Sequence, residues 1–267
     1  MKDFDGKTAA VTGAASGIGL ALCHGFAARG MNVVMADINA DALNEAARQV
    51  KPKAGRDVLP VPTDVTKAES VKAFADAAFD RFGAVHVLCN NAGVLIGCPT
   101  YEASLKDWKW LIDVNYWGVI HGVHFFVPRM IAGGQGGHIV NTASMAGHFA
   151  TPNNGVYNST KFAVVGLSES LARDLKETGI GVSVLSPGQV ETPIFTSYQN
   201  RPAEYDSGNV REYKRRPSAN VRTPEQVAAL VIDAIEAGRM YIFPHGEESR
   251  AVLNARHERM LRDIVNP

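Results

Sequence analysis

The sequence predicts an α/β protein: a doubly wound parallel sheet in a three-layer sandwich, with helices on both faces. Three observations carry that expectation. Short, continuously apolar runs such as Thr8–Val11, Asn32–Ala36 and Val85–Cys89 read as strands buried on both faces, the pattern of parallel sheets. Helix-period stretches separate these runs, so successive strands are joined by crossovers, which are right-handed. The chain has 267 residues, 46% of them hydrophobic. That is enough for one domain with a large core.

Taken in order, Thr8–Val11 ends in Gly13, and from Ser16 the positions Ile18, Leu20, Leu22 and Phe26 give strand, tight turn and helix, closed by Gly30. Asn32–Ala36 is the second strand. Its helix spans Asp41–Val50, capped by Asn39 or Asp41. Val58–Val61 is a strand, Lys67–Phe82 a helix with Val71, Phe74, Ala75 and Ala78 along one face, and Val85–Cys89 a strand opening onto Asn90-Asn91-Ala92-Gly93. One long helix is predicted over Leu105–Ile131. The glycines from Gly133 to Gly137 then break the chain before strand His138–Thr142, helix Val156–Glu177 and strand Gly181–Leu185. Glu191–Arg222 holds Pro193, Pro202, Pro217 and Gly208 with little periodicity, which predicts a lid without regular structure. Helix Pro224–Ala237, strand Met240–Phe243 and an amphipathic tail carrying Leu253, Met260, Leu261 and Ile264 complete a single domain, 1–267, without repeat or linker.

Composition removes several function classes. The 27 basic and 27 acidic side chains cancel, and neither nucleic acid nor an anionic membrane is an expected partner without a basic excess. Cys23, Cys89 and Cys98 lack paired spacing, so neither a disulfide framework nor a metal site is expected. No run reaches the roughly 18 apolar residues of a membrane helix, and Met1–Gly6 is too short and polar for a leader. A cytoplasmic protein with reduced thiols is the expectation.

Two clusters carry chemistry. Thr12-Gly13-Ala14-Ala15-Ser16-Gly17-Ile18-Gly19 sits where the first strand turns into the first helix. Glycines there permit positive φ and let a pyrophosphate approach N–H groups at the positive end of a helix dipole. Asp37 ends the second strand. A carboxylate there accepts from a ribose diol and repels a 2′-phosphate, which argues for NAD over NADP, as do the uncharged neighbours Ala15 and Ile38.

The second cluster is Tyr157 and Lys161, one helical turn apart on one face. A phenol titrates near 10, and a cation about 4 Å away contributes up to roughly 4 kcal/mol at an effective dielectric of 20. On that reasoning Lys161 turns Tyr157 into a usable general acid and base. Ser144, just past the strand His138–Thr142, stands at a carboxyl end, where such sheets bind ligands.

These residues resemble the short-chain dehydrogenase/reductase family over essentially the whole chain. The match rests on the Gly-rich turn, Asp64-Val65, Asn90-Asn91-Ala92-Gly93, Asn115, Ser144, Tyr157, Lys161 and Pro187-Gly188-Gln189-Val190-Glu191-Thr192-Pro193 in the family's order. The resemblance implies a Rossmann-like fold and a catalytic tetrad of Asn115, Ser144, Tyr157 and Lys161, with Asn115 holding a water that links Lys161 to solvent. It implies cofactor contacts from Gly13, Ser16, Gly17, Ile18, Gly19, Asp37, Asp64, Val65, Asn91, Ala92, Gly93, Tyr157, Lys161, Pro187, Gly188, Val190 and Thr192. Pairing through the helices at Leu105–Ile131 and Val156–Glu177 would give a homodimer or homotetramer.

The expected activity is reversible hydride transfer between NAD and a hydrophobic or aromatic secondary alcohol or its ketone. Alternatives are a 3-oxoacyl thioester reductase using NADPH, which Asp37 opposes, and a non-catalytic nucleotide sensor. Expected substrate contacts are Ser144, Met145, Phe149, Gln189 and Tyr198, with Val94–Ile96, Phe195, Tyr205 and Tyr213 nearby. Aromatic lid residues serve equally as clasps onto the body. Six basic lid residues (Arg201, Arg211, Lys214, Arg215, Arg216, Arg222) read as a solvated face or as partners for a substrate anion. His148 either lines the entrance or is structural. The segment from Val119 to Met130 and Tyr241-Ile242-Phe243-Pro244 also look similar to a bacterial branch of the family acting on benzylic alcohols of aryl ethers.

Overall fold

The computed structural model describes residues 1–208, 213 and 220–264. Arg211, Lys214, Arg215, Arg216 and Pro217, singled out in the sequence, lie outside the described residues. Seven parallel strands form one sheet in the order β3-β2-β1-β4-β5-β6-β7. They are β1 (Thr8–Thr12), β2 (Asn32–Asp37), β3 (Val58–Pro62), β4 (Val87–Asn90), β5 (Gly137–Thr142), β6 (Ile180–Leu185) and β7 (Tyr241–Ile242). The chain winds outward in one direction through β1, β2 and β3, then returns to place β4 on the other side of β1, Ala10 pairing with both Val34 and Leu88. That reversal opens a crevice at the carboxyl ends of β1 and β4, where doubly wound sheets bind ligands.

Burial explains why these runs are strands. Every residue of β1 and β4 is buried, so each side chain needs an apolar surface above or below the sheet. One face is covered by α1 (Gly17–Ala28), α2 (Ala40–Gln49) and α7 (Pro224–Ala237), whose Phe26, Leu43, Val231 and Ile235 join Val11, Val33 and Met35 in one core. The other is covered by α3 (Ala68–Phe82), α5 (Gly118–Gly133) and α6 (Gly155–Asp174), with Phe74, Phe126 and Leu171 packed on Val34, Leu88 and Ile139. Full burial of each such side chain contributes about 1.5–3 kcal/mol. All three cysteines are buried and outside any disulfide.

Three expectations are corrected, and of the two readings of His148 one is borne out. The single helix over 105–131 is three pieces: α4 (Leu105–Ile112), a π-helical turn over Asp113–Trp117, and α5. Ser104 and Asp107 form a reciprocal capping box that starts α4, and the π turn inserts a residue, rotating Asn115 inward to full burial. The lid is not structureless, because Pro193–Asn200 and Ala203–Tyr205 form 3₁₀ turns. Proline opens the first of them, and short i+3 bonds leave no period to read in sequence. The tail is a helix, α8 (Gly246–Arg262), but its Met260, Leu261 and the following Ile264 are 50%, 52% and 61% exposed rather than packed into the core. His148 is structural: Nε2 is 2.8 Å from Ser186 Oγ and its ring lies 5.1 Å from that of Phe243.

Candidate active site

A cavity of about 590 Å³ runs along the carboxyl ends of the strands, within the range of ligand pockets. At one end, Gly13, Ser16, Gly17 and Ile18 line it. Gly17 adopts φ +52°, and a Cβ there would lie 2.9 Å from Thr192 Cγ2. Gly19 does not reach the cavity. Its role is contact, since a Cβ would stand 2.0 Å from the Gly13 carbonyl oxygen, so only glycine lets the helix start this close to the turn. Asp37 is fixed by two amides: Oδ2 accepts from Ala15 N and Oδ1 from Asn39 N, each at 3.1 Å. Asn39, not Asp41, caps α2.

Around the middle, Asp64 and Val65 line the wall. Asp64 Oδ1 accepts from Thr66 N and Oγ1 at 2.9 and 2.7 Å, while Val65 packs 3.0 Å from where a Gly118 Cβ would be. Asn91 braces three strands, donating from Nδ2 to Thr12 O at 3.1 Å and accepting from Thr142 Oγ1 at 3.3 Å. Ala92 and Gly93 continue that wall.

At the far end Ser144, Tyr157 and Lys161 line the same wall. Lys161 is 2% exposed, its Nζ donates to Thr142 O at 2.8 Å and lies 5.6 Å from the centre of the Tyr157 ring. Asn115 stands behind the wall. It accepts from Val94 N at 2.8 Å and donates to Val94 O and Thr160 Oγ1 at 3.0 and 3.2 Å. A Cβ on Gly93 would come within 3.3 Å of Asn115 Oδ1 and 3.5 Å of Lys161 Nζ, so glycine keeps the space between those groups open.

Desolvation dominates the electrostatics here. Burial pushes the Tyr157 phenol up to about 12, with the Ser144 hydroxyl pulling the other way. Burial pushes Lys161 down to about 7. Sequence reasoning expected the ammonium to lower the phenol. Burial dominates instead, because both groups lose their water, and Nζ donates to the Thr142 carbonyl.

The expected substrate contacts divide. Met145, Phe149 and Gln189 line the cavity, as do Phe195 and Tyr213, whose rings lie 5.5 Å apart. Tyr198 lies off the cavity wall, which Ser197 reaches instead. Tyr205 is buried as a clasp, its hydroxyl 2.9 Å from Asp113 Oδ2. Arg201 pairs with buried Asp107 at 2.6 Å, so this basic lid residue ties the segment to α4 rather than facing solvent. Pro187, Gly188, Val190 and Thr192 line the cavity beside Ser144. Sequence reasoning missed Trp110, Asn154, His245, Ser249 and Val252, all on the wall. Nothing local marks them; His245, Ser249 and Val252 reach the site only because α8 packs back onto it.

The short chain dehydrogenase family model matches residues 7–203. The chain belongs to the short-chain dehydrogenase family. A short-chain dehydrogenase/reductase from Burkholderia phymatum, solved in complex with NAD, superposes with a TM-score of 0.90 at 37% identity, covering 100% of this chain and 99% of that one. The 1-deoxy-11-beta-hydroxypentalenate dehydrogenase of Streptomyces exfoliatus is 38% identical over 243 residues, 90% of this chain and 84% of the relative. The C alpha-dehydrogenase of Sphingobium sp. is 33% identical over 274 residues, 100% of this chain and 89% of the relative. The protein is therefore an oxidoreductase of a family that uses nicotinamide cofactors. The cavity fits such a group: a glycine cradle at one end, a fixed carboxylate for a ribose, and a buried lysine with one of its three donors taken by Thr142 O.

Proposed function

We propose that this dehydrogenase transfers hydride reversibly between NAD and a neutral, hydrophobic or aromatic secondary alcohol or its ketone. The observation that carries the reading is the convergence of Ser144, Tyr157 and Lys161 on the far wall of a cavity whose other end holds Asp37. A bound nicotinamide exchanges hydride at its ring carbon, and the positive charge of its oxidised form favours loss of the phenol proton. The chain does the rest. Ser144 Oγ holds the substrate oxygen, Tyr157 Oη gives or takes the proton, and Lys161 grips the ribose hydroxyls. Asn115 positions Val94 and the Lys161 end of the wall, acting on the reaction through its neighbours. Apolar lining from Val94, Trp110, Val114, Met145, Phe149 and Ile194 suits a hydrophobic substrate body.

Lys161 is the one lysine or arginine among the described lining residues. Among the described residues a 2′-phosphate or the phosphates of a thioester carrier meet Lys161 alone, which counts against the NADPH-dependent thioester reading. Asp37 adds repulsion, up to about 4 kcal/mol per unit charge at 4 Å and an effective dielectric of 20. The expected result is a kcat/KM with NAD at least roughly a hundredfold above that with NADP, about 2.7 kcal/mol, narrowing in Asp37→Ala. Equal use of both cofactors by the unmodified enzyme removes the Asp37 argument. A screen of secondary alcohols with NAD, followed by absorbance of the reduced cofactor, tests the activity. No turnover across a broad alcohol and ketone panel overturns it in favour of a nucleotide-binding protein without catalysis.

A further inference from the structure

The first turn of α8 lines the same cavity as Ser144, and it carries a polar group left unsatisfied among the described residues. Ser249 is 1% exposed, lines the cavity, and its Oγ is buried with no hydrogen-bond partner among the described residues. Leaving a buried hydroxyl unpaired costs about 1–3 kcal/mol, and serine is easily replaced by alanine where nothing uses the oxygen. The turn around it is held firmly. His245, the residue capping α8, accepts the Gly188 N–H at Nδ1 (3.1 Å) and donates from Nε2 to Gln189 O (3.0 Å). Accepting at Nδ1 leaves the ring proton on Nε2. Those bonds fasten α8 to the segment whose Pro187 O also receives the Met145 N–H at 2.9 Å and the Ser144 hydroxyl at 3.4 Å. Ser249 and the reacting end thus share one rigid support.

Glu248 lines the cavity beside Ser249, its Oε2 3.4 Å from Asn220 Nδ2. A bare helix N-terminus favours an anion, but Glu247 and Glu248 already place negative charge in the first turn. The pair therefore suits a neutral group that both donates and accepts.

We propose that Ser249 and Glu248 form a second polar subsite that binds a hydroxyl on the substrate, remote from the oxygen held by Ser144 and Tyr157. The ligand hydroxyl donates to the Glu248 carboxylate and accepts from Ser249 Oγ–H. The substrate class is an aromatic secondary alcohol or ketone with a second hydroxyl, such as a phenol, at its far end. A carboxylate in that place meets the Glu248 charge, and an unsubstituted ring leaves Ser249 unpaired. The inference rests on the reading above for the reacting end, but its test does not require hydride transfer.

Calorimetric titration of the NAD-loaded protein with acetophenone and with its 3- and 4-hydroxy derivatives measures the subsite directly, because the oxidised cofactor has no hydride for a ketone. At least one hydroxy derivative is expected to bind about tenfold tighter than acetophenone, about 1.4 kcal/mol. Ser249→Ala brings that ratio towards one. Glu248→Gln, a substitution on the cavity edge, raises affinity for 4-acetylbenzoate relative to acetophenone. Equal affinities in the unmodified protein, a ratio untouched by Ser249→Ala, or no binding of any of the three ketones overturns the subsite. Turnover of 1-phenylethanol with NAD is followed separately. Its absence counts against the hydride-transfer reading, and the binding ratios still decide the subsite.

Discussion

Tyr157→Phe is expected to lower kcat/KM for a secondary alcohol with NAD by roughly a hundredfold to ten-thousandfold, the span a positioned acid or base contributes. NAD affinity, measured by fluorescence titration of the cofactor, stays near that of the unmodified protein. The separation of the two effects follows from packing. The Tyr157 ring sits in an apolar cluster with Leu95, Ile96, Trp110 and Val156, and phenylalanine keeps every one of those contacts. Only the hydroxyl disappears, and with it the group proposed to move the proton. A purified, folded variant with near-normal turnover takes Tyr157 out of the chemistry.

Lys161→Met is expected to abolish activity and yet make the empty protein more stable at neutral pH. Burial holds Lys161 near 7, against an ordinary value of 10.5. A lysine lowered in this way penalises the folded state fully below pH 7, where it must be charged in both states. Between pH 7 and 10.5 the unfolded chain binds more protons than the folded one, so stability rises with pH across that window. A tenfold change in a protonation equilibrium corresponds to about 1.4 kcal/mol, so the gain on replacing the charge with an apolar chain of similar length is on the order of a few kcal/mol at pH 7. Thermal unfolding of the cofactor-free proteins across that range checks both parts. The unmodified protein gains stability from pH 7 upward, and the variant starts higher with a flatter profile. A variant less stable than its parent at pH 7 contradicts the burial argument. On the proposed reading the site trades stability of the empty protein for a charge that would meet the cofactor's hydroxyls.

Much of the fold was legible because parallel strands and their helices obey local rules. The run Thr8–Val11, the turn to Ser16 and the helix closed at Gly30 fall where they were expected, and Pro224–Ala237 matches residue for residue, since its Thr223 capping box, proline at the first turn and Gly238 stop are all written locally. The π turn at Asp113–Trp117 was not legible. One residue inserted into a helix changes which face Asn115 presents without changing composition, and the bonds Asn115 then makes are to Val94, 21 positions away. Chain order likewise revealed Ser144, Tyr157 and Lys161 through their spacing, whereas His245 and Ser249 face the cavity only because α8 folds back over Gly188. The electrostatic sign at Tyr157 was misread because spacing along a helix sets the distance between two groups but not the water removed from both.

Positive charge at the reacting end is expected to make the buried Tyr157 phenol a proton exchanger. Ultraviolet difference titration of tyrosinate, with Tyr157→Phe subtracted, measures that phenol in the empty and NAD-loaded protein. The account predicts a value near 12 in the empty protein and a clear downward shift with the oxidised cofactor bound. A phenol whose titration is unmoved or raised by NAD contradicts it.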